Sequence, residues 1–301
     1  MLFAGGMALS MQFGIREPNQ LTKFAAGEGP PFVVLSGLPV QDSIPDTPQG
    51  FGDDASVQFT DSLLLGAIGI AGLSPIAFQY ENFGRLIRNV APTALSIDSL
   101  SSHGAKNLLP WHTDNPYAFE GNCKVGSPSP RYLCFAGLRN ADVNGGPVPT
   151  EILLVDDILE QANRKLIRQM KRAEFRFLPP ESNDRLPFGP TPLLEADAGT
   201  KQPLFRVQAA PGQVVGLTDA AQNCVSELTE IIDSLEDRVV PIVVGAGSIL
   251  MFDQYRVLHR RASFDPGSDL SQARWLRRCF ACRNRRSGNL VDPIHRPFLW
   301  K

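Results

Sequence analysis

The stretch Gly247–Phe264 reads GSILMFDQYRVLHRRASF, and the fold turns on it. Ser248 to Asp253 is a short apolar run. The Gly245-Ala246-Gly247 turn precedes it, and before that lies a second run, Val239 to Val244. Apolar runs of this length, rich in β-branched residues and bounded by glycine, are strands rather than helices. His259 follows shortly after the second strand and is one of only four histidines in the chain.

Farther along, Arg274–Arg283 reads RWLRRCFACR and is predicted to be the last strong strand. Side chains alternate across a strand. Arg274, Leu276, Arg278 and Phe280 therefore share one face, and Trp275, Arg277 and Cys279 share the other. Two arginines on a buried face are costly unless an anion meets them. A guanidinium holds a carboxylate through two parallel hydrogen bonds. The segment is thus suited to hold a dicarboxylate near His259. The plainer alternative is an edge strand whose arginines are solvated.

Upstream, Leu108–Phe119 reads LLPWHTDNPYAF. In an extended segment, residues two apart point the same way, so His112 and Asp114 would present an imidazole and a carboxylate to one point. Two histidines and one carboxylate on one face of an octahedral ferrous ion leave three positions open. A second histidine must then come from a distant strand. Alone, a His-x-Asp pair is a common pattern, and a hydrogen-bonded polar turn is its ordinary reading.

The totals set bounds. The chain has 301 residues, 43% hydrophobic and 20% charged, with formal net charge -2. Such a balance gives no general affinity for nucleic acid or anionic membranes, so a small-molecule partner is expected, with no nucleic acid and no membrane. No feature of the sequence sets an oligomeric state. Five scattered cysteines make a poor disulfide framework and suit a reducing, cytoplasmic setting. Cys279 and Cys282 form a CxxC without the second pair that a zinc knuckle needs, and on a strand they face opposite ways. The N-terminal MLFAGGMALS lacks the basic lead of a secretory signal. Leu63–Phe78 is interrupted by Gly and Pro, too short to span a membrane, and reads as a buried helix and then a turn. Arg283, Arg285 and Arg286 read as a solvated strand end.

Other segments complete the outline. Pro30–Val40, Leu95–Leu100 and the run from Arg131 to Asn140 are predicted strands. Val155–Arg172 and Ala220–Asp237 carry apolar residues at helical spacing. Residues 178–203, rich in Pro, Asn, Asp and Gly, read as a long loop. No repeat or composition shift marks a boundary. The expectation is a single domain over residues 1–301, mainly β with surrounding helices. A barrel or jelly-roll core would carry a helical N-terminal region and an inserted segment at about 151–237.

Taken in order, His112-Thr113-Asp114, GGPVPTEI with Thr150, His259 and Arg274 in RWLRR resemble the iron(II)- and 2-oxoglutarate-dependent oxygenases. Within them the chain is most similar to the taurine dioxygenase and clavaminate synthase-like group, over roughly residues 86–286. GRLIRNVAP, Gly84–Pro92, fits the group as well. The resemblance implies a double-stranded β-helix core. It implies that His112, Asp114 and His259 hold Fe(II), that Arg274 pairs with the C5 carboxylate of 2-oxoglutarate, and that Thr150 contacts the same cosubstrate. Arg278 matches a second arginine that touches cosubstrate or substrate. GGPVPT departs from the group's compact form by placing more residues between the glycines and Thr150. Asp114 supplies a ligand, which argues against a halogenase.

The activity so implied is hydroxylation of an unactivated C–H by O2, coupled to conversion of 2-oxoglutarate to succinate. The expected substrate is a small amino acid or an amino-acid-derived natural product, for example a cyclic dipeptide. His103, Asn115 and Tyr117 are candidate substrate contacts. His295 reads as a surface residue. Desaturation or epoxidation uses the same iron chemistry. A non-catalytic jelly-roll binding protein and a zinc hydrolase are the alternatives from other classes.

Overall fold

The structure is a computed structural model that describes residues 18–50, 55–116, 129–140, 142, 146–178, 187–197, 200–285 and 288–301. Two antiparallel sheets pack face to face. The major sheet contains β1 (Phe32–Leu35), β2 (Ser74–Phe78), β3 (Ile87–Val90), β5 (Tyr132–Arg139), β13 (Ile249–Asp253), β15 (Trp275–Cys282), β16 (Leu290–Asp292) and β17 (Arg296–Trp300). Its order is β1-β13-β5-β15-β2-β17-β16, with β3 on the first half of β15. Among the described strands, only the β17–β2 pairing is parallel. The minor sheet contains β4 (Leu109–His112), β6 (Thr150–Leu154), β12 (Val240–Ile242) and β14 (Val257–Arg261), in the order β12-β6-β14-β4.

The central strands are apolar throughout because both of their faces are buried, as expected for strands covered on each side. On β5, Tyr132, Cys134 and Ala136 meet helices α1 (Pro18–Ala26) and α2 (Gln58–Ile70), while Leu133 and Phe135 face the minor sheet. The space between the sheets is filled by Ile76, Phe78, Leu250, Phe252, Leu276 and Phe280 among others. Gly137 on β5 has a steric reason. A Cβ there would stand 2.2 Å from the carbonyl oxygen of Gly245, so only glycine admits the 245–247 turn against the strand.

Helices α3 (Val155–Gln161), α4 (Arg164–Met170) and α5 (Asp219–Ser234) cover the outer face of the minor sheet. They pack with the small strands β7 (Phe175–Phe177), β8 (Phe188–Thr191), β9 (Leu194–Ala196), β10 (Pro203–Phe205) and β11 (Val214–Gly216). Trp111 and Leu258 point out of the sheet into this layer.

Several sequence expectations are corrected. The single helix over 155–172 is two, because the Asn163 side chain accepts from the N–H of Lys165 and Leu166, both at 2.9 Å, and starts a new helix there. Leu95–Leu100 is turn rather than strand: Leu95 is fully exposed, and backbone bonds Ser96→Thr93 and Ser99→Ser96 close successive turns. Beyond Ile70 the apolar stretch continues as β2 rather than ending in a turn, since Ser74–Phe78 pairs with β15 and β17. The described part of 178–203 is not a bare loop but carries β8 and β9, bonded to β7 and β10. Residues 151–154 belong to β6 of the core, so the inserted layer begins at Val155. The run of thiols behaves as read: Cys279 lies under α2 and Cys282 between the sheets.

Candidate metal centre

His112 closes β4 and His259 lies in the middle of β14, where the register sets them opposite each other. His259 is thus not beyond a strand, as its sequence context suggested, but on one. The two ring centroids are 4.1 Å apart. Asp114 Oδ1 lies 3.3 Å from His112 Nε2 and 3.7 Å from His259 Nε2. One ligand atom from each residue falls within 4.8 Å of the others, and no second such cluster occurs among the described residues.

The donor set suits a cation. His112 Nδ1 donates to the Pro110 carbonyl at 2.8 Å, so in the neutral ring Nε2 offers a lone pair. That lone pair faces a carboxylate oxygen, which also has only lone pairs to offer. Two acceptors at 3.3 Å need something positive between them, either a shared proton or a metal ion. Burial pushes the His259 imidazole down to about 3, helped by neighbouring His112 and opposed by Asp114. It is neutral at ordinary pH. Burial alone would raise Asp114, but its contact with His112 and the charge of the Arg278 guanidinium outweigh it, so the carboxylate stays well below its usual range and ionised. Two imidazoles and one carboxylate match the facial set of non-haem ferrous sites.

The turn that carries Asp114 is held from two sides. Thr113 N–H donates to Val207 O at 3.0 Å and Ala209 N–H to Trp111 O at 2.8 Å, so the inserted layer continues the sheet beyond β4. From the other side Gln254 accepts from Asp114 N–H at 2.8 Å and donates to Asp114 O at 3.3 Å and to Pro130 O. Asn115, next in the chain, has φ +48°, a left-handed conformation that asparagine tolerates.

Thr150 opens β6 and Arg274 immediately precedes β15; Arg274 Nη2 donates to Thr150 Oγ1 at 3.3 Å. Arg274 is 4% exposed, and its Nε finds no partner among the described residues. Burial lowers this arginine to about 9, with Arg261 adding to the effect. The edge-strand alternative therefore fails: β15 is central, and both its faces are buried.

Arg278 Nη1 donates to Asp114 Oδ2 at 3.0 Å, and Nη2 bonds Glu81. Glu81 also accepts from Arg88 at 2.6 Å and from Asn115 Nδ2 at 3.3 Å. Burial would raise Glu81, but Arg278 and Arg88 bring it below its ordinary value. Glu81 and Gln254 escaped the sequence reading: YENFG and FDQYR carry no motif, and their importance comes only from what the strands bring opposite them. His103 is buried, with Nδ1 3.1 Å from Ala91 O, and burial, then Arg88, lowers it to about 4. Tyr117 lies outside the described residues. His295 is at the surface, 3.3 Å from Asp292.

Comparison with known proteins agrees with this geometry. The family model for "Taurine catabolism dioxygenase TauD, TfdA family" matches residues 32–280. Among solved structures, an asparagine oxygenase in complex with Fe(II), 2S,3S-3-hydroxyasparagine and succinate is similar with TM-score 0.79 and 24% identity, over 94% of this chain and 84% of that one. The non-heme iron oxygenase OrfP in complex with Fe, succinate and (3S)-hydroxy-L-Arg is similar with TM-score 0.75 and 22% identity, over 95% and 86%. At these identities the likeness establishes the fold. No curated protein sequence gives a significant match.

Proposed function

Since this chain belongs to the taurine catabolism dioxygenase TauD, TfdA family, we propose that it is an iron(II)- and 2-oxoglutarate-dependent dioxygenase that hydroxylates an unactivated C–H of a small amino acid or a molecule derived from one. The observation that carries this reading is the meeting of His112, Asp114 and His259 from separate parts of the chain. Bound there, the metal supplies the redox chemistry: O2 delivers one oxygen atom to succinate, formed with CO2 from 2-oxoglutarate, and the other to the substrate.

The residues of this chain do the rest. His112, Asp114 and His259 would hold the metal. Arg274 and Thr150 take the far carboxylate of 2-oxoglutarate, and the unmet guanidinium edge of Arg274 supports this role. Glu81 and Arg278 place a carboxylate and a guanidinium beside Asp114. That pairing suits the ammonium and carboxylate of an amino acid, so we assign Arg278 to the substrate rather than to the cosubstrate. His103 and Asn115 border the same cluster and are further substrate candidates. Phe252, whose ring lies 5.0 Å from that of His259, helps keep the centre dry.

The similarity to an asparagine oxygenase and to OrfP with hydroxy-L-Arg supports an amino-acid substrate. We read the whole chain as one oxygenase domain acting in the cytoplasm, in natural product biosynthesis. No described helix is long and apolar enough to cross a membrane. The test is a panel of free amino acids and cyclic dipeptides incubated with iron(II), 2-oxoglutarate and air. A substrate yields succinate and a mass gain of one oxygen. Turnover that persists in His112→Ala, or that needs zinc and no oxygen, contradicts the reading.

A further inference from the structure

Arg261 is the second unexplained cation of the core. It ends β14, two residues beyond His259, on the same inward face. It is 5% exposed. The β14–β6 ladder pairs His259 with Ile152 and ends at Arg260–Glu151, one residue short of Arg261 and of Thr150, while on its other side Arg261 pairs with Leu109 of β4. Thr150 in turn is bonded to Arg274. Arg261 also acts on Arg274 through space, so two buried guanidiniums share this corner.

Neither of these arginines forms an ion pair with a described residue. Arg261 Nη1 donates to the carbonyls of Ala105 and Ala262 at 3.0 Å each, and Nη2 to Asn107 at 3.4 Å. A guanidinium has five N–H donors. One on Nη2 and the one on Nε are thus left for another acceptor. The Phe264 ring stacks 5.2 Å from its Cζ and fixes the plane. Burial lowers Arg261 to about 10 without removing its charge at ordinary pH. Two buried positive charges in one corner are unfavourable until an anion arrives. The two-residue step from His259 to Arg261 spans about 7 Å of strand, the scale of a five-carbon diacid stretched from a metal to its far carboxylate.

We propose that Arg261 is a second binding residue for the distal carboxylate of the cosubstrate, sharing it with Arg274 and Thr150. This rests on the dioxygenase reading above. Arg260 does not take part: it lies on the opposite face, bonded to Glu151 and Glu236. With two cations for one carboxylate, the site favours a diacid over a keto acid that lacks the second carboxylate.

The test uses metal-free full-length protein, titrated calorimetrically with glutarate and, as a control, acetate. Wild type is expected to bind glutarate and not acetate. Arg261→Gln, which keeps a donor for the loop carbonyls, should weaken glutarate binding about tenfold, the loss of one charge-assisted contact. Iron(II) binding, measured separately, should stay unchanged. Arg261→Lys keeps the charge but not the fork; it should weaken glutarate binding severalfold and decides the matter if the glutamine variant does not fold. Glutarate affinity equal to wild type in either folded variant, with loss only in Arg274→Gln, would reduce Arg261 to a prop for residues 105–107 and leave the dioxygenase reading standing. If wild type binds no glutarate, both proposals fall.

Discussion

Gln254 grips the backbone of Asp114 with both ends of its amide, accepting from the N–H at 2.8 Å and donating to the carbonyl at 3.3 Å. The two residues are far apart in sequence, and the contact joins the loop after β13 to the turn after β4. It fixes the direction in which the carboxylate leaves the backbone. Glutamine at 254 is also bonded to Pro130 O, so its orientation is set from a third point.

Gln254→Ala should therefore loosen the carboxylate without removing it. Supporting partners of metal ligands typically contribute 10–100-fold in affinity, and iron(II) affinity should fall by about that factor. The fold should persist with a loss of about 1–3 kcal/mol, since Asp114 N–H loses its partner. Equilibrium iron titration together with urea unfolding checks both values. Unchanged iron affinity would show that the insertion layer alone, through Val207 and Ala209, sets the turn.

Arg278 and Glu81 should separate substrate from cosubstrate. Arg278→Gln is expected to raise the KM for the amino acid by about tenfold or more, the cost of a lost charge-assisted bond, while the KM for 2-oxoglutarate stays within about twofold. Arg274→Gln should show the reverse. Steady-state kinetics with each ligand varied in turn give the split.

His103 sets an acid limit on stability. Burial lowers its pKa from 6.5 to about 4. Between those values the unfolded chain binds a proton that the native state refuses, so stability rises with pH across that window and falls as pH drops through it. At pH 5 the loss relative to pH 7 is about 2 kcal/mol from this group. Urea unfolding of the metal-free protein at both pH values should show it, and His103→Gln should remove most of the difference. Equal slopes in wild type and variant would mean that His103 is not held neutral.

How much of this was legible in the sequence follows from what each signal depends on. The core strands are readable because both faces are apolar, whereas His112 and Asp114 alone read as a polar turn, and they, His259 and Arg274 become legible through the order of motifs that resembles the oxygenase family. The split at Asn163 was not, since the helical spacing runs on through a cap whose effect depends on its rotamer. The strands β8 and β9 were missed because Pro and Gly there sit at a short, irregular sheet rather than in a loop. Glu81, Gln254 and Arg261 acquire their roles only from register. Arg261, adjacent to Arg260 in HRR, looks equivalent to it until the strand places one inward and the other toward Glu151.

The most direct measurement is anaerobic: iron(II) and 2-oxoglutarate are added together to purified protein, and the visible spectrum is recorded. Chelation of a ferrous ion by a keto acid gives a weak charge-transfer band. That band is expected in the wild type, lost in His259→Ala, and shifted to higher 2-oxoglutarate concentration in Arg274→Gln. A wild-type spectrum without the band, or one that His259→Ala leaves unchanged, would contradict the assignment of this centre.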